Sequence, residues 1–144
     1  MPDIRLAEVT GTPIDHQHLI DLVSRPRAGA ISLFLGTVRD NDPQAAGVVT
    51  ALDYTCHPSS YDAIGEITAR VLAVEDPEDL CTVALAHRIG RLVVGDSAFV
   101  VAVSSAHRAQ AMHVCERLVE EVKKTLPMWK QQFEADGTYQ WSGL

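Results

Sequence analysis

No stretch of this sequence reaches the roughly 18 consecutive apolar residues that a membrane-spanning helix needs. The opening MPDIRLAEVT also lacks the basic-then-apolar layout of a secretory signal, so the expected address is cytoplasmic. Cysteine is scarce. Cys56, Cys81 and Cys115 are odd in number, widely spaced and without a CxxC pair, which indicates neither a disulfide framework nor a zinc site. The histidines show no HExxH or comparable ligand spacing, and no metal is expected. A net charge of −7 is the wrong sign for a general nucleic-acid binder, which shows a basic face. Any anion must therefore be held by a local cluster of cations. Internal repeats, low-complexity segments and linkers are missing as well, and 144 residues fit a single domain, 1–144.

Lysine is the most unevenly used residue. The chain has three, Lys123, Lys124 and Lys130, all within KKTLPMWK, while its other basic residues are arginines. Unlike arginine, a lysine can be turned by burial into a base or a nucleophile. The alternative is a solvated cluster at a helix C-terminus, where cations are favoured in any case. Lys123 borders the apolar stripe of its helix and Lys124 points farther out, so Lys123 is the better candidate.

What is present organises as α+β. Residues 15–24 read as a short helix ended by Arg25-Pro26-Arg27. Residues 29–39 form a strand apolar on both faces and interrupted at Gly36, where a bulge or close approach is expected. The polar 41–47 is a loop, and 48–55 a second strand. Ile64, Ile67, Val71 and Val74 recur at helical spacing up to the stop at Asp76-Pro77. Residues 80–86 and 97–104 give two more strands, with turn signals at Gly90 and Gly95-Asp96 between them. Short connections make the sheet mostly antiparallel. A long helix then spans about 105–126, its stripe running Met112, Cys115, Val119, Val122, Leu126 until Pro127, and the tail 129–144 reads as loop.

Chemistry gathers in a few places. In VVAVSSAHRAQAM (100–112) an apolar strand runs into a helix start carrying Ser104, Ser105, His107 and Arg108. Early helix N–H groups and the dipole stabilise an anion there, a serine can cap, and His107 and Arg108 add charged donors. An ordinary serine cap followed by a solvated His-Arg pair is the competing explanation. Arg39, just past the Gly36 break, is a further cation, or else a solvated strand end. Cys56 beside His57 suggests a thiol and a base, but neighbours on a strand face opposite ways, which favours a plain small residue. Residues 107 and 123 lie sixteen positions apart, roughly 24 Å along one helix at ~1.5 Å per residue. The two basic clusters then serve separate sites, or a two-fold dimer brings one chain's His107 and Arg108 to the other's lysines.

The motifs FLGTVR (34–39), HRIGRLVVGD (87–96), VAVSSAHRAQA (101–111) and KKTLPMWK (123–130) together resemble the catalytic, large subunit of molybdopterin synthase, the MoaE family. The likeness covers about residues 28–141, in order. It implies an α/β hammerhead-type fold and a homodimer at the core of a heterotetramer. Its partner would be a small ubiquitin-like sulfur-carrier subunit ending in a Gly-Gly thiocarboxylate. The implied reaction is sulfur transfer to cyclic pyranopterin monophosphate, forming the molybdopterin dithiolene, and it needs no metal or bound redox cofactor in this subunit. By the same resemblance Lys123 and Lys130 are catalytic, Arg39, His107 and Arg108 bind anionic substrate, and Phe34 and Met112 offer an apolar wall. A non-catalytic module binding the carrier tail is the other reading. The chain departs from the family pattern at Thr55–Ser60, at Gln131 where a second basic residue is common, and at Leu144, where many relatives continue with a basic tail.

Overall fold

The computed structural model describes residues 1–41, 47–135 and 137–144; the expected loop at 41–47 falls mostly outside them. The chain runs β1 (Asp3–Thr10), α1 (His16–Val23), β2 (Ala30–Thr37), β3 (Val49–Cys56), α2 (Ser60–Glu75), β4 (Thr82–Arg88), β5 (Gly90–Val93), β6 (Ser97–Ser105), α3 (Arg108–Thr125), β7 (Met128–Glu134) and β8 (Tyr139–Gly143). Its strands form two sheets, ordered β1-β4-β6-β2 and β5-β3-β7-β8. Every pairing is antiparallel except that of β1 with β4.

The first sheet is covered on both faces, which explains why its strands are apolar at both parities. Leu19 and Val23 of α1 pack on Ala84, Ala86, Val100 and Ala102, small side chains that let the helix approach closely. Asp15 caps α1 by accepting from the Gln17 N–H at 3.0 Å. The opposite face presents Val83, Leu85, Val101 and Val103 to α2 and α3 in the main core, which also takes in Leu52, Tyr54 and Leu92 from the second sheet. Pro127, which stops α3, accepts hydrogen bonds at its carbonyl from Ser60 Oγ (2.7 Å) and the His57 N–H (3.1 Å). The end of α3 is thereby tied to the start of α2.

Three sequence expectations need correction. The tail read as loop is the hairpin β7–β8, with Gly137 at φ 88° in the turn, the left-handed region glycine enters without penalty. The N-terminal segment, examined only for a leader, is strand β1. Ser104 and Ser105 do not cap α3. Both lie in β6, Ser104 Oγ donates to the Val23 carbonyl at 2.6 Å, and the N-cap is His107, without a side-chain cap bond. At Gly36 the β2–β6 register shifts, as the expected bulge requires. A Cβ there would stand 3.1 Å from the Phe34 ring and 3.4 Å from the Phe99 carbonyl.

Candidate functional site

Where the two sheets meet the C-terminal end of α3, a cavity of about 200 Å³ opens. The segment just past β2 supplies Arg39, α3 supplies Lys123, and β7 supplies Lys130 and Gln132; His87, Tyr54 and Phe99 form the wall between them. The β-pleat explains part of the convergence. Lys130 and Gln132 are two apart on β7 and so share a face, opposite Tyr54 and Leu52 on β3. Among the described residues, none that lines the cavity is acidic. In a chain of net charge −7, three cations from three elements thus converge on one small volume.

The electrostatics reflect that crowding. Lys123 is open to solvent at the mouth, yet the protein around its ammonium lowers its pKa, first by desolvation and then by repulsion from Lys130, with Glu120 partly opposing. His87 is 1% exposed. It stacks on Phe99 at 5.2 Å and meets Tyr54 edge-on at 5.1 Å. Its Nδ1 lies 2.9 Å from the Arg88 carbonyl, which can only accept, so Nδ1 carries the proton and Nε2 is left as an acceptor. Desolvation pushes its pKa down to about 4; the Arg88 carbonyl opposes this and the Lys123 charge adds to it.

His107 and Arg108 stand elsewhere. They are exposed at the opposite end of α3, outside the cavity within one chain. Phe34 and Met112 line a different groove between β2 and α3, with Ser32, Cys115 and Val119. Phe34 does touch the cavity wall indirectly, edge-on to Phe99 at 5.9 Å, whereas Met112 is 61% exposed. Cys56 and His57 are not paired. His57 Nδ1 instead contacts Ser59 Oγ at 2.9 Å and accepts from the Ser59 N–H. Among the described residues no group of three or more His, Cys, Asp or Glu is placed to hold a metal. No helix among them is long and apolar enough to cross a membrane.

Residues 9–125 match the family model described as "MoaE protein". The chain belongs to the MoaE family. That match takes in Arg39, His107, Arg108 and Lys123, while Lys130 and Gln132 lie beyond it on β7. Among curated MoaE relatives, the molybdopterin synthase catalytic subunit of Bacillus subtilis is 36% identical over 137 residues, covering 94% of this chain and 83% of that one. The molybdopterin synthase catalytic subunit 1 of Mycobacterium tuberculosis is 34% identical over 135 residues, covering 94% and 88%. The crystal structure of molybdopterin synthase from Staphylococcus aureus superposes with a TM-score of 0.83 at 27% identity, over 96% of this chain and 97% of that one.

Two residues of this MoaE cavity escaped the sequence reading. His87 looked isolated because its neighbours Tyr54 and Phe99 come from other strands. Gln132 was hidden by reading its segment as loop; as a strand, its two-residue offset from Lys130 puts both on one face.

Proposed function

We propose that this chain is the catalytic subunit of molybdopterin synthase, transferring sulfur from the thiocarboxylated C-terminus of a small carrier subunit to cyclic pyranopterin monophosphate. The observation that carries the proposal is the convergence of Arg39, Lys123 and Lys130 on one cavity with no acidic lining residue among the described residues. A thiocarboxylate and a phosphate are both anions, and partial exclusion of water strengthens each contact with a cation. Lys123 orients the thiocarboxylate, whose sulfur bonds to a pterin side-chain carbon as a carbon–oxygen bond there breaks, the oxygen leaving as water or with the phosphate. With its lowered pKa, Lys123 also exchanges a proton during that attack more readily than an ordinary lysine. Lys130 stabilises the oxyanion that develops as the carrier's acyl group is released to water. Two such transfers make the dithiolene.

His107 and Arg108 enter this scheme across a two-fold axis, holding substrate phosphate in the partner's cavity. Strand β2 is the outer strand of its sheet and exposes Ile31, Leu33 and Leu35, an edge and apolar surface suited to a second copy. The reading places the reaction in the cytoplasm, in keeping with the free thiols Cys56, Cys81 and Cys115. The test is reconstitution: purified protein, thiocarboxylated carrier and cyclic pterin, with dithiolene product assayed. Wild type forms product, and Lys123→Ala forms none while remaining folded. Carrier binding without any conversion by wild type would replace the enzyme with a binding module.

A further inference from the structure

The cavity described above is rich in donors, with two ammonium groups and a guanidinium, yet a substrate made only of acceptors does not account for one group in its lining. Gln132 is 0% exposed. Its Nε2 donates to Ser142 Oγ on β8 at 3.3 Å, while Oε1, itself enclosed, has no partner among the described residues. An orphaned buried acceptor is costly because it gives up its hydrogen bonds to water without replacement, and such groups are few in native proteins. The amide orientation follows from the surroundings. Gln132 lines the cavity together with Lys123, Lys130 and Arg39, cations beside which a carbonyl oxygen is favoured over amide hydrogens once Nε2 is engaged by Ser142. Position on the sheet keeps the group in place. Gln132 shares a face of β7 with Lys130 and pairs with Leu52 of β3 on one side and Gln140 of β8 on the other.

We propose that Gln132 Oε1 is a substrate-binding acceptor that takes an amide-type N–H, while the neighbouring lysines take the anion. This rests on the sulfur-transfer reading above, and both substrates of that reaction qualify: the carrier's Gly-Gly tail has a peptide N–H next to its thiocarboxylate, and a pterin ring bears lactam-type N–H groups. The arrangement makes the cavity selective. An anion lacking an N–H at that distance satisfies Lys123 and Lys130 but leaves Oε1 unpartnered, so discrimination arises from the buried acceptor rather than from charge.

The experiment measures the affinity of the carrier, with its C-terminal carboxylate, and separately of cyclic pyranopterin monophosphate for four proteins: wild type, Gln132→Met, Gln132→Glu and Ser142→Ala. Methionine keeps the volume and removes the acceptor; glutamate keeps an acceptor; Ser142→Ala breaks the internal bond and leaves Oε1 in place. Gln132→Met is expected to weaken one ligand about tenfold, with glutamate recovering most of the loss and Ser142→Ala staying within about threefold of wild type. Whichever ligand is weakened identifies the source of the N–H. Wild-type affinity for both ligands in Gln132→Met overturns the proposal. So does an equal loss for both that Ser142→Ala reproduces, since Gln132 would then act only as scaffold. Failure of wild type to bind either ligand would instead remove the sulfur-transfer reading on which the proposal depends.

Discussion

Arg108 opens α3 and Lys123 lies in its last turn, so one helix holds these two cations about 22 Å apart at 1.5 Å per residue. A single small substrate cannot be gripped by both ends of the same helix. If both residues serve one reaction, each must serve a different copy of the cavity. Arg108→Ala and Lys123→Ala proteins, each inactive alone, should therefore regain activity when mixed and allowed to exchange subunits, because one of the two sites in a heterodimer is intact. Recovery near a quarter of the wild-type specific activity is expected from about half of the dimers being mixed, each with one working site. Proven exchange with no recovered activity would eliminate the shared site.

Lys123 and Lys130 are coupled by charge. Repulsion from Lys130 is the second cause of the lowered Lys123 pKa, after desolvation. Lys130→Met removes that repulsion without adding a carboxylate, so the Lys123 pKa should rise toward the ordinary lysine value while staying below it, because desolvation remains. Titration of a ¹³C-labelled lysine Cε resonance in the two proteins measures this directly. An unchanged or lower Lys123 pKa in Lys130→Met would contradict the electrostatic account.

Much of this architecture could be read from residue spacing, because the features concerned are local. Of the expected stripes, Cys115, Val119 and Val122 of α3 with Leu126 at its C-cap, and Ile64, Ile67 and Val71 of α2, enter the core, while the end members Met112 and Val74 are exposed. Pro127 and Asp76-Pro77 stop those helices near where they were expected to stop. The β7–β8 hairpin was illegible for the converse reason. Its polar Lys130, Gln131 and Gln132 show no apolar alternation, and its strand character comes from pairing with β3, a partner some seventy residues earlier in the chain. The same split runs through the site. Lys123, Lys130 and Arg39 declare themselves by residue type, whereas His87 becomes interesting only when the sheet order sets it between Phe99 and Tyr54.

His87 makes stability depend on pH. Its pKa in the fold is about 4 against an ordinary 6.5, so the folded protein holds it neutral while the unfolded chain protonates first as pH falls. Its contribution is fully present above about pH 6.5, declines between 6.5 and 4, and changes no further below. The loss attributable to this group is on the order of 3 kcal/mol across that window. Urea midpoints at pH 7 and pH 4.5 should therefore differ more for wild type than for His87→Phe, which keeps an aromatic ring between Phe99 and Tyr54. Carboxylates that also titrate are common to both proteins and cancel in the comparison. Equal pH dependence in the two proteins would show that His87 is not held neutral by burial.

Gly29 sets the position of the His107-Arg108 turn. Its N–H donates to the Ser105 carbonyl at 3.0 Å, and a Cβ added to it would stand 2.5 Å from the Ala106 carbonyl oxygen. The obstacle is backbone rather than a flexible side chain, so the segment just ahead of His107 has to move. Gly29→Ala should destabilise the fold by about 1–3 kcal/mol, the usual range for overpacking. If Arg108 holds the substrate phosphate as proposed, the substitution should also raise KM for the cyclic pterin, because Arg108 is displaced while the lysine cavity at the other end of α3 is untouched. Gly11→Ala is the matched control, since nothing lies within 4 Å of its added Cβ. Thermal melts and pterin KM for the two variants separate the effects of local crowding from those of losing a glycine. A Gly29→Ala protein indistinguishable from Gly11→Ala on both measures would mean that the turn tolerates the shift and that its position does not govern phosphate binding.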